Sequence, residues 1–121
     1  MAEDEAKRLF EEGNRLYEEG KYQEAVNAYD KALAIGPKDA DAWNNRGFTL
    51  GHLGHYQEAI DSYDKALAID PKYVPAWNNR GIALDNLGRY PEAVDSYHKA
   101  LAINPKYAVA WYIRGIALDN L

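Results

Sequence analysis

Apolar residues recur along this chain at the three- and four-residue spacing of an amphipathic helix. In residues 56–69 they follow at i, i+3, i+4, i+7 and i+11, as Tyr56, Ala59, Ile60, Tyr63 and Leu67. Residues 41–53 carry a second apolar face on either side of Gly47. No run of β-branched residues alternates with period two, so the pattern predicts helices and no strands.

This helical pattern is itself repeated every 34 residues. The positions that keep this step include Trp43, Trp77 and Trp111, Gly47, Gly81 and Gly115, and Pro37, Pro71 and Pro105. A period of this length indicates a repeat protein, in which stacked units bury the apolar face that one helix pair cannot bury alone. We therefore expect an all-α fold built from helix pairs.

Glycine and proline divide each unit. Gly54 separates the two helical halves of the second unit, and Pro71 ends that unit because proline cannot continue a helix. Gly47 is predicted to lie where the two helices approach most closely, with Tyr63 and Trp43 filling the remaining space.

The repeat predicts a short lead over residues 1–5 and three whole units over 6–39, 40–73 and 74–107. Residues 108–121 correspond to the first helix of a fourth unit, which is expected to act as a C-terminal cap. The outer face of that helix would remain bare. Either the chain is a fragment of a longer array, which we favour, or its end stacks on another copy.

The period and the set Trp43, Gly47, Leu50, Ala59, Tyr63, Ala66 and Pro71 resemble the tetratricopeptide repeat (TPR) family. The resemblance covers residues 6–121. It implies a right-handed α-solenoid of antiparallel helix pairs with about seven helices. It also implies that the first helices line a concave face on which protein or peptide partners bind. One departure is an arginine before each repeated glycine, at Arg46, Arg80 and Arg114, where the family usually has an apolar residue.

Composition removes several classes of function. The chain has no cysteine, which excludes disulfides, thiolate zinc sites and cysteine nucleophiles. Its net charge of −5 argues against nucleic acid as the main partner, and the acidity is concentrated in the N-terminal half, above all in residues 1–39. The longest apolar stretch, residues 107–113, is far shorter than the ~20 residues that span a bilayer, so membrane insertion is not expected.

Candidate chemistry for catalysis is sparse. His52 and His55 lie on either side of a turn without an evident third ligand, so no metal site is predicted. No glycine-rich phosphate loop is present, because the glycines follow the repeat. We therefore expect no enzymatic activity and no cofactor, and we expect a cytoplasmic location.

Paired asparagines are the most informative polar feature. Asn44-Asn45 and Asn78-Asn79 recur one repeat apart, and a carboxamide can pair with the backbone of an extended peptide whatever its side chains. In the TPR domain of O-GlcNAc transferase, an asparagine ladder at the positions of Asn45 and Asn79 holds peptide backbone. The alternative is that these amides bind neighbouring helices or water. The full predicted contact set is Asn14, Asn44, Asn45, Phe48, Asn78, Asn79, Ile82 and Tyr112.

Some TPR co-chaperones hold a C-terminal carboxylate with a clamp of Lys, Asn, Asn, Lys and Arg. In this chain the corresponding positions are Phe10, Asn14, Asn45, Pro75 and Asn79. Both asparagines match and all three cations are missing, so the charge-assisted grip on a carboxylate is lost. We therefore do not expect binding of a chaperone tail.

The arginines before the glycines are predicted to be structural. Asp30 and Asp64 have the spacing to serve Arg46 and Arg80, with Asp61 and Asp95 as alternatives within the same unit. The same register would give Arg114 the poor partner His98.

Two functions remain open on the sequence. The favoured one is a non-catalytic scaffold that binds a peptide segment or a partner helix in the concave groove. The other is self-association, in which copies stack end to end through Trp111 and Ile116 of the last helix.

Overall fold

A computed structural model describes residues 1–106 of the chain as six α-helices joined by short turns. The helices are α1 (Ala2–Glu18), α2 (Tyr22–Ile35), α3 (Ala40–His52), α4 (Tyr56–Ile69), α5 (Val74–Asn86) and α6 (Tyr90–Ile103). The predicted all-helical fold is confirmed. The seventh predicted helix, over residues 108–121, lies outside the described residues.

Consecutive helices run antiparallel. Tyr17, near the end of α1, packs its ring 5.5 Å from that of Tyr22 at the start of α2. At the opposite end of the pair, Gly36 lies beside Ala6. The end of α1 therefore lies beside the start of α2, and the end of α2 lies beside the start of α1, as an antiparallel helix pair requires.

The turn inside each unit depends on a glycine with positive φ. After α3, Gly54 has a φ of 79°, which side chains disfavour. The Gly54 N–H donates to the carbonyl oxygen of Gly51 at 3.0 Å, and the His55 N–H donates to that of Leu50 at 2.9 Å. These two bonds form a Schellman motif, which satisfies carbonyls at the end of the helix. Gly20 and Gly88 repeat this geometry.

The two helices of each unit meet at a glycine and a tyrosine. A Cβ added to Gly47 of α3 would lie 2.6 Å from the Tyr63 ring and 3.0 Å from the Ala59 carbonyl oxygen of α4. Tyr63 is only 2% exposed. This confirms the predicted close approach. Gly13 with Tyr29 and Gly81 with Tyr97 form the same contact in the other two units.

Trp43 is half-buried and packs against the main core cluster, which includes Tyr63. Its indole N–H donates to the Pro37 carbonyl oxygen at 2.8 Å, and Trp77 donates to Pro71 in the same way. The repeated tryptophan therefore connects the start of a first helix to the preceding loop.

An arginine fork connects neighbouring units. The Arg46 Nε donates to Asp30 of α2 at 2.6 Å, and its Nη1 donates to the Ser62 hydroxyl of α4 at 2.7 Å. Arg80 makes the same two contacts one repeat later, with Asp64 and Ser96. The predicted structural role and the predicted pairing with Asp30 and Asp64 are confirmed, whereas Arg114 lies outside the described residues.

The first helices of neighbouring units lie closer together than the second helices. Each helix packs against the next along the chain, and the first helices also contact each other, α1 with α3 and α3 with α5. Among the six described helices, the Cα atoms of α2, α4 and α6 all lie more than 8 Å from those of the other two. The units therefore curve around an inner face formed by α1, α3 and α5.

The glycine–tyrosine contact predicts opposite effects for two alanine substitutions in α3. Gly47→Ala should lower the free energy of unfolding by about 1–3 kcal/mol, because its methyl group overlaps the Tyr63 ring. Gly51→Ala, four residues later, should raise it by about 0.5–1 kcal/mol, because its Cβ meets open space and alanine favours helix. Urea unfolding followed by circular dichroism measures both. Equal effects would contradict the close packing at Gly47.

Candidate functional site

The structure brings five of the predicted contact residues to the inner face. They are Asn14 of α1, Asn45 and Phe48 of α3, and Asn79 and Ile82 of α5. Each of them lines one of two neighbouring cavities on this face. We call the inner face of α1, α3 and α5, with these two cavities, the groove.

Asn44 and Asn78 have a different position from the predicted one. They are 7% and 4% exposed, so both are buried rather than exposed on the groove surface. The Asn44 Oδ1 accepts a hydrogen bond from the Asn79 Nδ2 at 3.2 Å. The physical reason is helix rotation: neighbouring residues of a helix point about 100° apart, so both members of an asparagine pair cannot face the groove.

The first cavity, which we call the polar cavity, lies between α1 and α3 and has a volume of about 310 Å³. Its lining residues are Asn14, Tyr17, Glu18, Tyr29, Asn45, Phe48 and Thr49. The Asn14 Oδ1 accepts from the Tyr29 hydroxyl at 2.5 Å and from the Asn45 Nδ2 at 3.1 Å. This oxygen is therefore satisfied, and the Asn14 amide hydrogens donate to no acceptor among residues 1–106.

The second cavity, which we call the apolar cavity, lies between α3 and α5 and has a volume of about 270 Å³. Its lining residues are Phe48, Gly51, His52, Tyr56, Tyr63, Asn79, Ile82, Ala83 and Asn86. Gly51 has no side chain, and the space beside it is open. Phe48 lines both cavities, so the two adjoin.

An aromatic cluster of Tyr17, Tyr22, Phe48 and His52 stands at the rim of both cavities. His52 stacks on Tyr22 with ring centroids 5.0 Å apart, and its Nε2 lies 2.9 Å from the Tyr17 hydroxyl. Phe48 packs 5.7 Å from Tyr17 and remains 41% exposed. The cluster exposes aromatic faces and edges to the groove.

Cations are missing from both cavities. No lysine or arginine lines either one, within the part of the chain that the structure describes. Arg46 and Arg80, the arginines of α3 and α5, point instead to carboxylates on second helices. On α1, Arg8 and Arg15 pair with glutamates of their own helix and its end. The two cavities therefore have one carboxylate, Glu18, and His52 as their ionisable groups other than tyrosine.

A larger cavity of about 520 Å³ lies outside the groove, beside the loops before α3 and α5. Its carboxylates already have partners. Asp39 accepts from the Ala42 N–H and caps α3, Asp41 accepts from the Tyr73 hydroxyl, and Asp70 accepts from the Lys72 N–H. These bonds give the loop residues a structural role, so we do not take this cavity as the functional site.

Within residues 1–106, no three histidine or carboxylate side chains gather as metal ligands. No helix over the same residues is both long enough and apolar enough to cross a membrane. The remaining predicted residues, Trp111, Tyr112 and Ile116, lie outside the described part of the chain.

Two protein-family profiles match this chain. The profile described as "Tetratricopeptide repeat" matches residues 40–73 and 74–107, and the profile described as "TPR repeat" matches residues 13–54. The chain belongs to the tetratricopeptide repeat family. Among curated proteins, none matches this chain significantly.

Solved TPR structures share the whole fold. The Arabidopsis OM64 TPR domain is 28% identical with a TM-score of 0.95, and the match covers 100% of both chains. The first TPR of Spaghetti (RPAP3), bound to the HSP90 peptide SRMEEVD, is 27% identical with a TM-score of 0.93 over 96% of this chain and 92% of that one. The second TPR domain of human RPAP3, with the HSP70 peptide SGPTIEEVD, is 26% identical with a TM-score of 0.93 over 97% and 98%.

Tyr17 and His52 lie at positions that the family resemblance places on the concave face, whereas Glu18 was not predicted to reach the groove. A departure from the TPR repeat marks Tyr17, because the positions one and two repeats after it hold Gly51 and Asp85. The repeat does not require an aromatic residue at this position, so the Tyr17 ring is available for contacts in the groove. Glu18 gave no such signal, since helix ends commonly carry charged residues.

The buried tyrosines predict loss of stability at high pH. Burial raises the pKa of Tyr29 to about 12, and it raises the pKa values of Tyr63 and Tyr97 as well. In the unfolded chain a tyrosine deprotonates at pH ~10. The three buried, protonated hydroxyls therefore contribute fully to the free energy of unfolding below that pH, and this contribution is lost as pH rises through their folded pKa values. The urea midpoint should therefore fall steadily from pH 9 to pH 12. The midpoint of Tyr29→Phe should fall less over this range. A urea midpoint of the unmodified protein that does not change with pH would contradict the raised tyrosine pKa values.

Proposed function

We propose that this TPR protein is a non-catalytic scaffold that holds an extended segment of a protein partner in its groove. The observation that supports this function is the pair of adjoining cavities on the inner face, which combine free amide groups with apolar surface. A concave site with a few placed polar groups is the usual form of a binding site.

The asparagines have the capacity to bind peptide backbone. Asn45 and Asn79 each use one amide hydrogen in a bond to another asparagine, at 3.1 and 3.2 Å. Among the described residues, the oxygen and the second amide hydrogen of each have no other partner, so they are available to a ligand. An extended segment carries unpaired N–H and C=O groups of its own, so two such amides one repeat apart can hold it independently of its sequence.

Side-chain selectivity would come from the apolar cavity. Phe48 and Ile82 supply apolar surface, and the missing side chain of Gly51 leaves room between them. Asn44 contributes indirectly in this proposal, because its oxygen accepts from Asn79 and so connects α3 to α5. Asn78 is buried and is no longer proposed as a direct contact. Tyr112 remains a sequence-based candidate for the same groove.

Two of the solved TPR relatives hold chaperone peptides that end in acidic residues. Recognition of an acidic segment requires cations, and neither cavity described here has a lysine or arginine. We therefore propose a partner segment other than an acidic chaperone tail.

A display library of random twelve-residue peptides tests the proposed function. Peptides selected on the protein should bind Asn45→Ala/Asn79→Ala about 10-fold or more weakly, because two hydrogen bonds of ~1 kcal/mol each are lost. Gly51→Leu should also weaken binding, since it fills the apolar cavity without removing a hydrogen bond. Fluorescence anisotropy with labelled synthetic peptides measures the dissociation constants.

The matched control is Gln23→Ala/Gln57→Ala, which removes two exposed amides from the outer helices α2 and α4. It should leave peptide affinity unchanged. Equal binding by all variants, or failure of the library to yield any binder, would contradict binding in the groove.

A further inference from the structure

We propose that the groove recognises a basic residue and a large apolar residue placed close together in the partner segment. The lysine or arginine enters the polar cavity beside Glu18, and the apolar side chain enters the apolar cavity beside Ile82. This inference rests on the proposed function and names the chemistry of the segment that the groove takes.

Glu18 is the only carboxylate among the residues that line the two cavities, within the described part of the chain. The cations nearest to it in sequence are occupied, since Arg15 lies 2.7 Å and Lys21 lies 3.4 Å from carboxylate oxygens of Glu19. Among residues 1–106, Glu18 itself has no ion pair. Its charge is therefore available to a ligand.

The position of Glu18 on its helix is unfavourable for folding. It is the last residue of α1, where the helix dipole places partial negative charge, so a carboxylate there is repelled. Its charge also contributes, after burial and Tyr22, to the raised pKa of the Tyr17 hydroxyl. A charge that opposes local stability, beside a cavity and without a partner, is typical of a binding residue.

The rest of the polar cavity suits a cation. Tyr17 and Phe48 present aromatic rings, which attract a guanidinium or ammonium group over their faces. Asn45 adds an amide oxygen that accepts no hydrogen bond from the residues the structure describes. An arginine or lysine entering here would find a carboxylate, an acceptor and an aromatic surface, and no competing positive charge.

The two cavities adjoin, and this sets the spacing of the two side chains. Alternate residues of an extended segment point to the same side and lie ~7 Å apart. Phe48 lines both cavities, so side chains two residues apart can lie on either side of its ring. The segment is therefore of the form basic–any–apolar, or the reverse, according to the direction in which it binds.

The peptide library described above provides the first test. The selected sequences should be enriched in lysine or arginine two residues from leucine, isoleucine, methionine or phenylalanine. Selection of acidic or neutral sequences would overturn this inference. If such peptides still lose affinity in Asn45→Ala/Asn79→Ala, groove binding stands and only the basic preference is wrong; if no peptide is selected, both fail.

A double-mutant cycle provides the second test. It combines Glu18→Gln with replacement of the peptide's basic residue by norleucine, which keeps a linear side chain and removes the charge. Glu18→Gln should weaken the basic peptide at least about 3-fold, as expected for a solvent-accessible ion pair, and should leave the norleucine peptide unchanged. Affinity for the basic peptide should also fall as salt is raised.

The control variant is Glu24→Gln, which removes the same charge from the exposed first turn of α2, away from both cavities. It should not discriminate between the two peptides. Glu18→Gln should remain at least as stable as the unmodified protein, because it relieves repulsion at the end of α1. Equal loss of affinity for both peptides in Glu18→Gln would overturn the proposed ion pair.

Discussion

The close contact between a glycine and a tyrosine ring is the constraint on which the rest of this structure depends. At Gly47 the ring of Tyr63 occupies the volume that a side chain would need, so α3 and α4 pack at a short distance over their middle turns. The same contact in each unit gives three helix pairs of one shape. Units of one shape stack regularly, and regular stacking brings the first helices together on one face. The groove is therefore a consequence of packing inside the pairs.

The periodic part of the sequence was sufficient to predict the fold. Gly47, Tyr63 and Gly54 have packing or backbone reasons that hold in every unit, and each does in the structure what the repeat indicated. The pairing of Arg46 with Asp30 could be predicted because both keep the same 34-residue step in the next unit. The hydrogen bond from Trp43 to a loop carbonyl was not predicted, since it leaves no trace in the apolar pattern.

The candidate site combines asparagines that keep the repeat with residues that break it, and here the sequence predicted less. The asparagine pairs were recognised, but their sequence did not show that rotation about the helix axis buries Asn44 and turns Asn45 outwards. Tyr17, Glu18 and His52 come from two units and meet only after stacking. Contacts between units depend on the relative placement of helices, which local patterns do not contain.

The arginine fork has a mechanical consequence for recognition. Arg46 joins α2 of one unit to α4 of the next on the side away from the groove, and Arg80 repeats this connection. Opening or narrowing the groove by rotating one unit against another would strain or break these bonds. The groove is thus held in shape without a ligand. In the proposed complex, most of the conformational entropy lost on binding would belong to the flexible segment, so the sequence of that segment, rather than adjustment of the scaffold, would control the affinity.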